Sequence, residues 1–325
     1  MTEQETWGIQ DSTKLQAYMN CARAYFFEYV LGWRKDEPSV HLGHGIAVHK
    51  AMECFYPVGG PDFSNDALAN AWASYFEYYR SIFHEDSDIA NSPKNPECTF
   101  RALSMYRNLY SPLDDFEVLH SEVAGTVLLD INGRKLYFKQ DNICQDKNGR
   151  IFTLEHKTGT NFRALWALEW AQSIQLGTYC HVLFCMYPPK DVYGAYVNGI
   201  FIHEPPRIRK DGTPYANSKD TEFHRIPVAK TPRQMEDWAI TVGHWLNLLD
   251  DDFEALSSCI DSDDIMAAFP KNTGACTKYF GCVYAPYCAA WLNPLQQADQ
   301  PPIGFKIEHW DPRGKLAGAK EVVEL

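Results

Sequence analysis

Apolar positions recur at three- and four-residue spacing over residues 12–31, where Leu15, Tyr18, Ala22, Tyr25, Phe26 and Tyr29 share one face. With Ser12 as cap, this pattern predicts a helix. Gly43 to Tyr56 predicts a second helix, opening glycine-rich and carrying His49, and residues 66–84 and 99–110 predict two more, rich in Tyr, Phe and Trp. The period then changes. Residues 118–130, 134–143 and 150–157 are short runs of β-branched and aromatic residues, separated by the turns INGR at 131–134 and QDKNGR at 145–150. They predict an antiparallel meander. A long helix over 163–186 and an apolar strand over 194–202 follow. KDGTPYANSKD then reads as a surface hairpin or loop, and 231–256 as a further helix. Residues 269–325, rich in Pro, Gly and Cys, give little regular signal. The order predicts a mixed α/β (α+β) fold. An N-terminal helical region would span 1–115, the core 116–265, and a cysteine-rich lobe and tail 266–325.

Composition narrows the class. The 325 residues, 45% hydrophobic and 22% charged, suit a globular protein. No apolar run approaches membrane-spanning length, so no membrane partner is expected. MTEQETWGIQDSTK lacks a basic start and apolar stretch, so a cytoplasmic location is expected. There, ten cysteines are not a disulfide framework. The net charge of −12 argues against a phosphate-bearing partner until its distribution is read. Residues 234–265 hold no Lys or Arg, while Glu236, Asp237, Asp250, Asp251, Asp252, Glu254, Asp261, Asp263 and Asp264 crowd that stretch. Just before it, Arg207, Arg209, Lys210, Lys219, Arg225, Lys230 and Arg233 outnumber the acids. Charge is therefore segregated, as a solvated acidic helix beside a basic loop also would be.

Four groups of residues carry candidate chemistry. Alternation places Glu155 and Lys157 on one face of a strand, and Asp141 can lie beside them on the neighbouring strand. Paired carboxylates suit Mg²⁺ or Mn²⁺, and an adjacent ammonium can stabilise charge developing on a phosphate. The plain alternative is a cross-strand salt bridge on an exposed sheet face. His49 on its amphipathic helix is a ligand candidate or an ordinary satisfied histidine. Gln175 and Tyr179, at i, i+4, share a helical face and could touch a phosphate or a lysine, or form a buried polar pair. Cys276, Cys282 and Cys288 sit among Gly, Pro and aromatics in a run that points to metal. Zinc loops usually show a tighter gap, and an iron–sulfur cluster needs a fourth thiolate. Cys21, Cys54, Cys98, Cys144, Cys180, Cys185 and Cys259 are all candidates for it.

Together, Ser12-Thr-Lys-Leu15, Cys21, Gly45-Ile-Ala-Val-His49, Asp141, Glu155-His-Lys157-Thr-Gly159, Gln175-Leu-Gly-Thr-Tyr179 and the three-cysteine run resemble the RecB-like PD-(D/E)XK nucleases. The likeness is to their iron–sulfur exonuclease branch, found in phages, CRISPR adaptation and AddAB-type repair. The resemblance implies a restriction-endonuclease-like core with an iron–sulfur lobe. His49, Asp141, Glu155 and the His156 carbonyl would be metal ligands, Lys157 the catalytic lysine, and Gln175 and Tyr179 the motif that engages DNA. It also implies Cys21 as fourth thiolate to a 4Fe–4S cluster with Cys276, Cys282 and Cys288. Gln140 stands where a small residue is usual, and the cysteine gaps are five and five. No GxxxxGK[ST] motif is present, which argues against a fused helicase. The expected activity is a Mg²⁺- or Mn²⁺-dependent DNA exonuclease acting on single strands or duplex ends in replication, recombination or repair. It could be phage-encoded and work with recombination or replication proteins. Alternatives are a non-catalytic DNA-binding recombination module, an endonuclease of the same fold, and a zinc-stabilised interaction protein.

Overall fold

The computed structural model describes residues 5–129, 133–213, 215, 218–259, 265–278 and 281–325. Ile131 and Asn132 of the first turn, Pro214, Ala216 and Asn217 of the polar excursion, Asp261, Asp263 and Asp264 of the acidic stretch, and Tyr279 and Phe280 of the cysteine run lie outside the described residues.

The chain begins with β1 (Gln10–Asp11), α1 (Ser12–Asn20) and α2 (Ala22–Tyr25), which runs into a π-helical turn, Phe26–Val30. The single helix expected over 12–31 is therefore broken. Its cap is Asp11, whose side chain accepts from the Lys14 amide, and not Ser12. At the break, Cys21 is extended, with φ −163° and ψ 111°. Tertiary bonds hold it so: the Asn272 amide donates to Cys21 Sγ at 3.5 Å, Asn272 Nδ2 to the Asn20 carbonyl at 2.8 Å, and the Arg23 amide to the Pro270 carbonyl at 3.2 Å. Docking to the distant C-terminal segment overrides local helix propensity.

After β2 (Trp33–Lys35), α3 (Val40–Phe55), α4 (Asn65–Arg80) and α5 (Pro96–Tyr110) follow, capped by Ser39, Ser64 and Asn95. The meander is β3 (Glu117–Leu128), β4 (Lys135–Gln145) and β5 (Ile151–Gly159), antiparallel as its turns predict. The expected long helix is two, α6 (Ala164–Glu169) and α7 (Ile174–Met186), because Ser173 turns extended and recaps the chain by accepting from the Leu176 amide. β6 (Val192–Phe201) returns parallel to β5. Residues read as a basic loop form β7 (Glu222–Ala229), antiparallel to β6. Its side chains lack the apolar alternation that would have marked it. α8 (Pro232–Cys259), α9 (Ala285–Ala290), β8 (Phe305–Ile307) and β9 (Glu321–Glu324) complete the chain. The result is the mixed α/β fold that the element order predicts.

The main sheet runs β7-β6-β5-β4-β3-β9, with β1 paired to β4. One face packs on α3, α4 and α5 through Phe55, Tyr75, Tyr106, Cys144 and Leu154. The other packs on α7 and α8 through Phe138, Ile143, Leu183 and Val242. A third core joins both ends of the chain: Tyr25, Phe26 and Trp33 pack with Met266, Phe269 and Tyr284. Buried Arg23 ties these ends, donating to the Phe269 carbonyl at 2.8 Å and the Met266 carbonyl at 3.0 Å.

Strand β9 lies parallel to β3, and a Cβ on Gly125 would stand 1.8 Å from the Val323 carbonyl oxygen. Backbone cannot step aside as a side-chain tip can. Gly125→Ala should therefore undock β9 and cost about 1–3 kcal/mol. A lowered urea midpoint checks this, and an unchanged midpoint would show that β9 contributes no stability.

Candidate active site

The site is built where two ladders part. β4 pairs with β5 from Gln145↔Ile151 to Asn142↔Leu154 and goes no further, while β1 takes the same edge of β4 at Leu136 and Tyr137. Asp141 stands in the fork. Its Oδ2 accepts the His156 amide at 2.8 Å, so a carboxylate replaces the ladder partner that this amide has lost. Opposite Asp141 on β3 lies Glu122, bracketed by the pairs Ser121↔Asn142 and Val123↔Gln140. Glu122 has φ 53°, a left-handed conformation rare for a residue with a Cβ. Side-chain alternation changes phase there: Phe138 and Gln140 face α7, whereas Asn142 and Cys144 face α3. Strained backbone thus coincides with the carboxylate at the fork.

Period-two alternation sends Glu155 and Lys157 toward α7 and His156 toward α3, as the sequence predicts. Glu155 is 2% exposed, which rules out the exposed-face salt bridge. Its Oε1 accepts from Lys157 Nζ at 2.6 Å, and its buried Oε2 has no partner among the described residues. Lys157 Nζ also donates to Gln175 Oε1 at 2.8 Å and lies 5.6 Å from the centre of the Trp170 ring. Recapping at Ser173 places Gln175 in the first turn of α7, facing β5. Gln175 Nε2 donates to the Tyr179 hydroxyl at 2.8 Å, and that hydroxyl to the Lys139 carbonyl at 2.5 Å. The two residues form one bracket between helix and sheet. Gln140 completes it by donating to the Tyr179 carbonyl at 3.1 Å. A small residue there could not make that bond.

Helix α3 brings His49, whose Nδ1 lies 2.9 Å from Asp141 Oδ1, with the ring 30% exposed. Burial opposes the charged imidazole, but the Asp141 carboxylate prevails and pushes its pKa up to about 9. Burial likewise opposes ionised Asp141, yet His49 and the His156 amide hold its carboxyl below the usual range. Glu155 goes the other way, up to about 7, through burial and then the Asp141 charge. Two neighbouring carboxylates with opposed shifts form a polarised pair. Gly43 at the start of α3 acts by packing: a Cβ there would meet the Phe83 ring at 2.7 Å. His156 points away into a buried network, with Asn198 Nδ2 3.2 Å from its Nδ1. Asn198 also bonds Tyr106, and Arg225 pairs with Asp114 behind it.

Glu122 is the residue that sequence reasoning missed. It is 5% exposed, and its Oε2 meets Lys139 Nζ at 2.6 Å. Burial, then the Asp141 charge, pushes it up to about 7. Only the odd phase of the apolar residues around it could have marked it.

The donor set fits a hard divalent cation: an imidazole and two carboxylates, one of them with a buried oxygen that has no partner among the described residues. Imidazole ligation needs the neutral ring, so binding at His49 is coupled to proton release. As the side chains lie, no three His, Cys, Asp or Glu among the described residues form a ready metal cage. All ten cysteines are free. Cys21 and Cys276 both act electrostatically on Cys282 and on Cys288, so the four thiols share one neighbourhood. Burial raises both Cys282 and Cys288. No helix among the described residues is long and apolar enough to cross a membrane.

The sequence matches the family model described as "PD-(D/E)XK nuclease superfamily" over residues 12–289. No curated protein matches it. A solved structure described as "Crystal structure of SSO0001" aligns at 14% identity and a TM-score of 0.30, over 74% of this chain and 77% of that one. The family match spans both ends of the third core and every residue of the fork, and the chain belongs to the PD-(D/E)XK nuclease superfamily.

Proposed function

We propose that the chain is a Mg²⁺- or Mn²⁺-dependent DNA exonuclease of the RecB-like, iron–sulfur branch, acting on single strands or duplex ends in replication, recombination or repair. The observation that carries the nuclease reading is the fork, where Asp141, Glu155, Lys157 and His49 meet with one carboxylate oxygen, Glu155 Oε2, unpartnered in the interior. A buried carboxylate oxygen without a partner is costly unless it has work to do.

His49, Asp141, Glu155 and the His156 carbonyl would hold the divalent ion, which supplies Lewis acidity and a nucleophilic water at phosphorus. The chain's own groups do the rest. Lys157 presents its ammonium beside Glu155, where it can bond a non-bridging oxygen as negative charge builds there. Gln175 and Trp170 fix that ammonium, and Tyr179 and Gln140 fix Gln175 against the sheet. Asn198 holds the His156 ring, and with it the strand that would present the His156 carbonyl to the ion.

For the second metal site, Cys21, Cys276, Cys282 and Cys288 would bind a 4Fe–4S cluster with a structural role. Their shared neighbourhood and the Asn272 amide directed at Cys21 Sγ support this reading. Expected partners are DNA and recombination or replication proteins, in the cytoplasm of a cell or of a phage-infected host.

Digestion of end-labelled single- and double-stranded DNA with Mg²⁺ and with Mn²⁺ tests the activity, with Asp141→Asn beside the wild type. Release of mononucleotides or short oligonucleotides from an end, lost in the variant, is expected. A wild-type protein that binds DNA and leaves it intact with either ion would favour the non-catalytic module, and internal cuts in circular DNA the endonuclease.

A further inference from the structure

We propose that the cleft beside Thr160 is a track that carries single-stranded DNA to the reacting groups; this rests on the nuclease reading and names the form of substrate it takes. The cleft has a volume of 1340 Å³. That exceeds the roughly 300–1,000 Å³ of small-molecule sites and suits a segment of polymer. One wall is residues 90–94 with the first turn of α3, and the other comes from His203–Pro205, Arg207, Arg209, Tyr215, Ser218 and Lys219.

Its charge is the reverse of the protein's. Lys94, Arg207, Arg209 and Lys219 line it, and Glu204 is the one carboxylate among the described lining residues. Ser92 Oγ already donates to Glu204 at 2.7 Å. Arg207 and Arg209 have no carboxylate partner among the described residues, and Lys219 approaches Glu222 only to 3.9 Å. In a chain of net charge −12, so local an excess of cations concentrates phosphate in one place. Tyr215, 52% exposed, adds an aromatic face, with the Arg209 guanidinium 5.3 Å from its ring centre. Cations interleaved with an aromatic face bind unpaired bases without reading sequence.

Position connects the cleft to the chemistry. Thr160 lies three residues past Lys157, about 10 Å at about 3.3 Å per strand residue. His41, on the opposite wall, lies eight residues before His49, about 12 Å at about 1.5 Å per helical residue. The aromatic face favours a single strand, because only unpaired bases are free to stack on it.

The test is binding without catalysis. Fluorescence anisotropy in EDTA compares a labelled oligo(dT) with a blunt duplex hairpin, over a series of salt concentrations. The full-length wild type should bind the single strand more tightly than the duplex. The triple variant R207A/R209A/K219A should lose about tenfold or more in affinity. It should also lose about 2 from its salt slope, at about 0.7 per phosphate contact. The charge-conserving variant R207K/R209K/K219R should keep the slope, which separates loss of charge from damage to the fold. An unchanged slope in the alanine variant, equal or tighter duplex binding, or no binding by wild type would overturn the track. If the track variants weaken binding as expected but wild type cleaves nothing with Mg²⁺ or Mn²⁺, the cleft stands and the nuclease reading falls.

Discussion

Lys157→Ala is expected to lower DNA cleavage by about 10²–10³-fold or more, the range found when one preorganised donor to a developing oxyanion is removed. Binding of oligonucleotide in EDTA should stay close to wild type. The reason lies in where Lys157 spends its donors. It reaches Glu155 at 2.6 Å and Gln175 at 2.8 Å, both inside the fork, whereas the cations of the basic cleft are Lys94, Arg207, Arg209 and Lys219. Its loss should therefore appear in kcat far more than in KM, the mark of an interaction made chiefly in the transition state. Truncation also strips Glu155 of its closest partner, leaving Gln175 Nε2 at 3.4 Å. A buried carboxylate so exposed costs about 1–3 kcal/mol, and thermal melting of the variant measures that cost separately. Normal cleavage by a folded Lys157→Ala protein would sink the assignment of Lys157.

The short-range part of the fork was legible in the sequence, whereas His49, 92 residues from Asp141, gained its role only through the resemblance. Glu155 and Lys157 share a face by strand alternation, Gln175 and Tyr179 share one by helical spacing, and both relations survive any packing around them. What the sequence did not show depends on contacts made across the chain. The break at Cys21 exists because Asn272, 251 residues away, donates to its sulfur, and no local pattern encodes that bond. The break before α7 was hidden for a different reason: residues 163–186 hold neither Pro nor Gly before Gly177, and Ser173 alone resets the cap. Strand β7 escaped because Arg225 and His224 serve a polar network and a ring stack instead of an apolar core. Glu122 escaped because its strain is a backbone property, and its sole trace in the sequence is the odd phase of the apolar residues around it.

A common logic joins these misses. Each lies where the fold departs from local preference, and two of them bear directly on the fork: the recap at Ser173 aims Gln175, and the phase change at Glu122 faces Asp141. Departures from local propensity are expected to gather at functional sites. The Cys21 break belongs to the same class. It forces an extended residue between two helical segments and turns its sulfur toward the Asn272 amide of the C-terminal segment.

Cys282→Ser should then cost far more than the loss of one sulfur. Serine nearly matches cysteine in size, and the backbone bonds at this position, from the Cys282 amide to the Cys276 carbonyl at 2.9 Å and from the Ala285 amide to the Cys282 carbonyl at 3.1 Å, do not involve the side chain. With no metal, the substitution would be nearly silent. With a cluster, it removes a cross-link between segments about 250 residues apart, worth roughly 5 kcal/mol if the chain-entropy relation for disulfides is applied to it. Wild type purified anaerobically should be brown and contain iron and acid-labile sulfide. The variant should be pale, and its thermal midpoint should fall by several degrees. Cys54→Ser, on α3 and remote from the lobe, is the matched control. A colourless wild type carrying zinc would replace the cluster with a zinc site on the same thiols. A wild type holding neither metal, with Cys282→Ser melting like Cys54→Ser, would remove the metal from this lobe and leave Arg23 and the aromatic core to join the two ends of the chain.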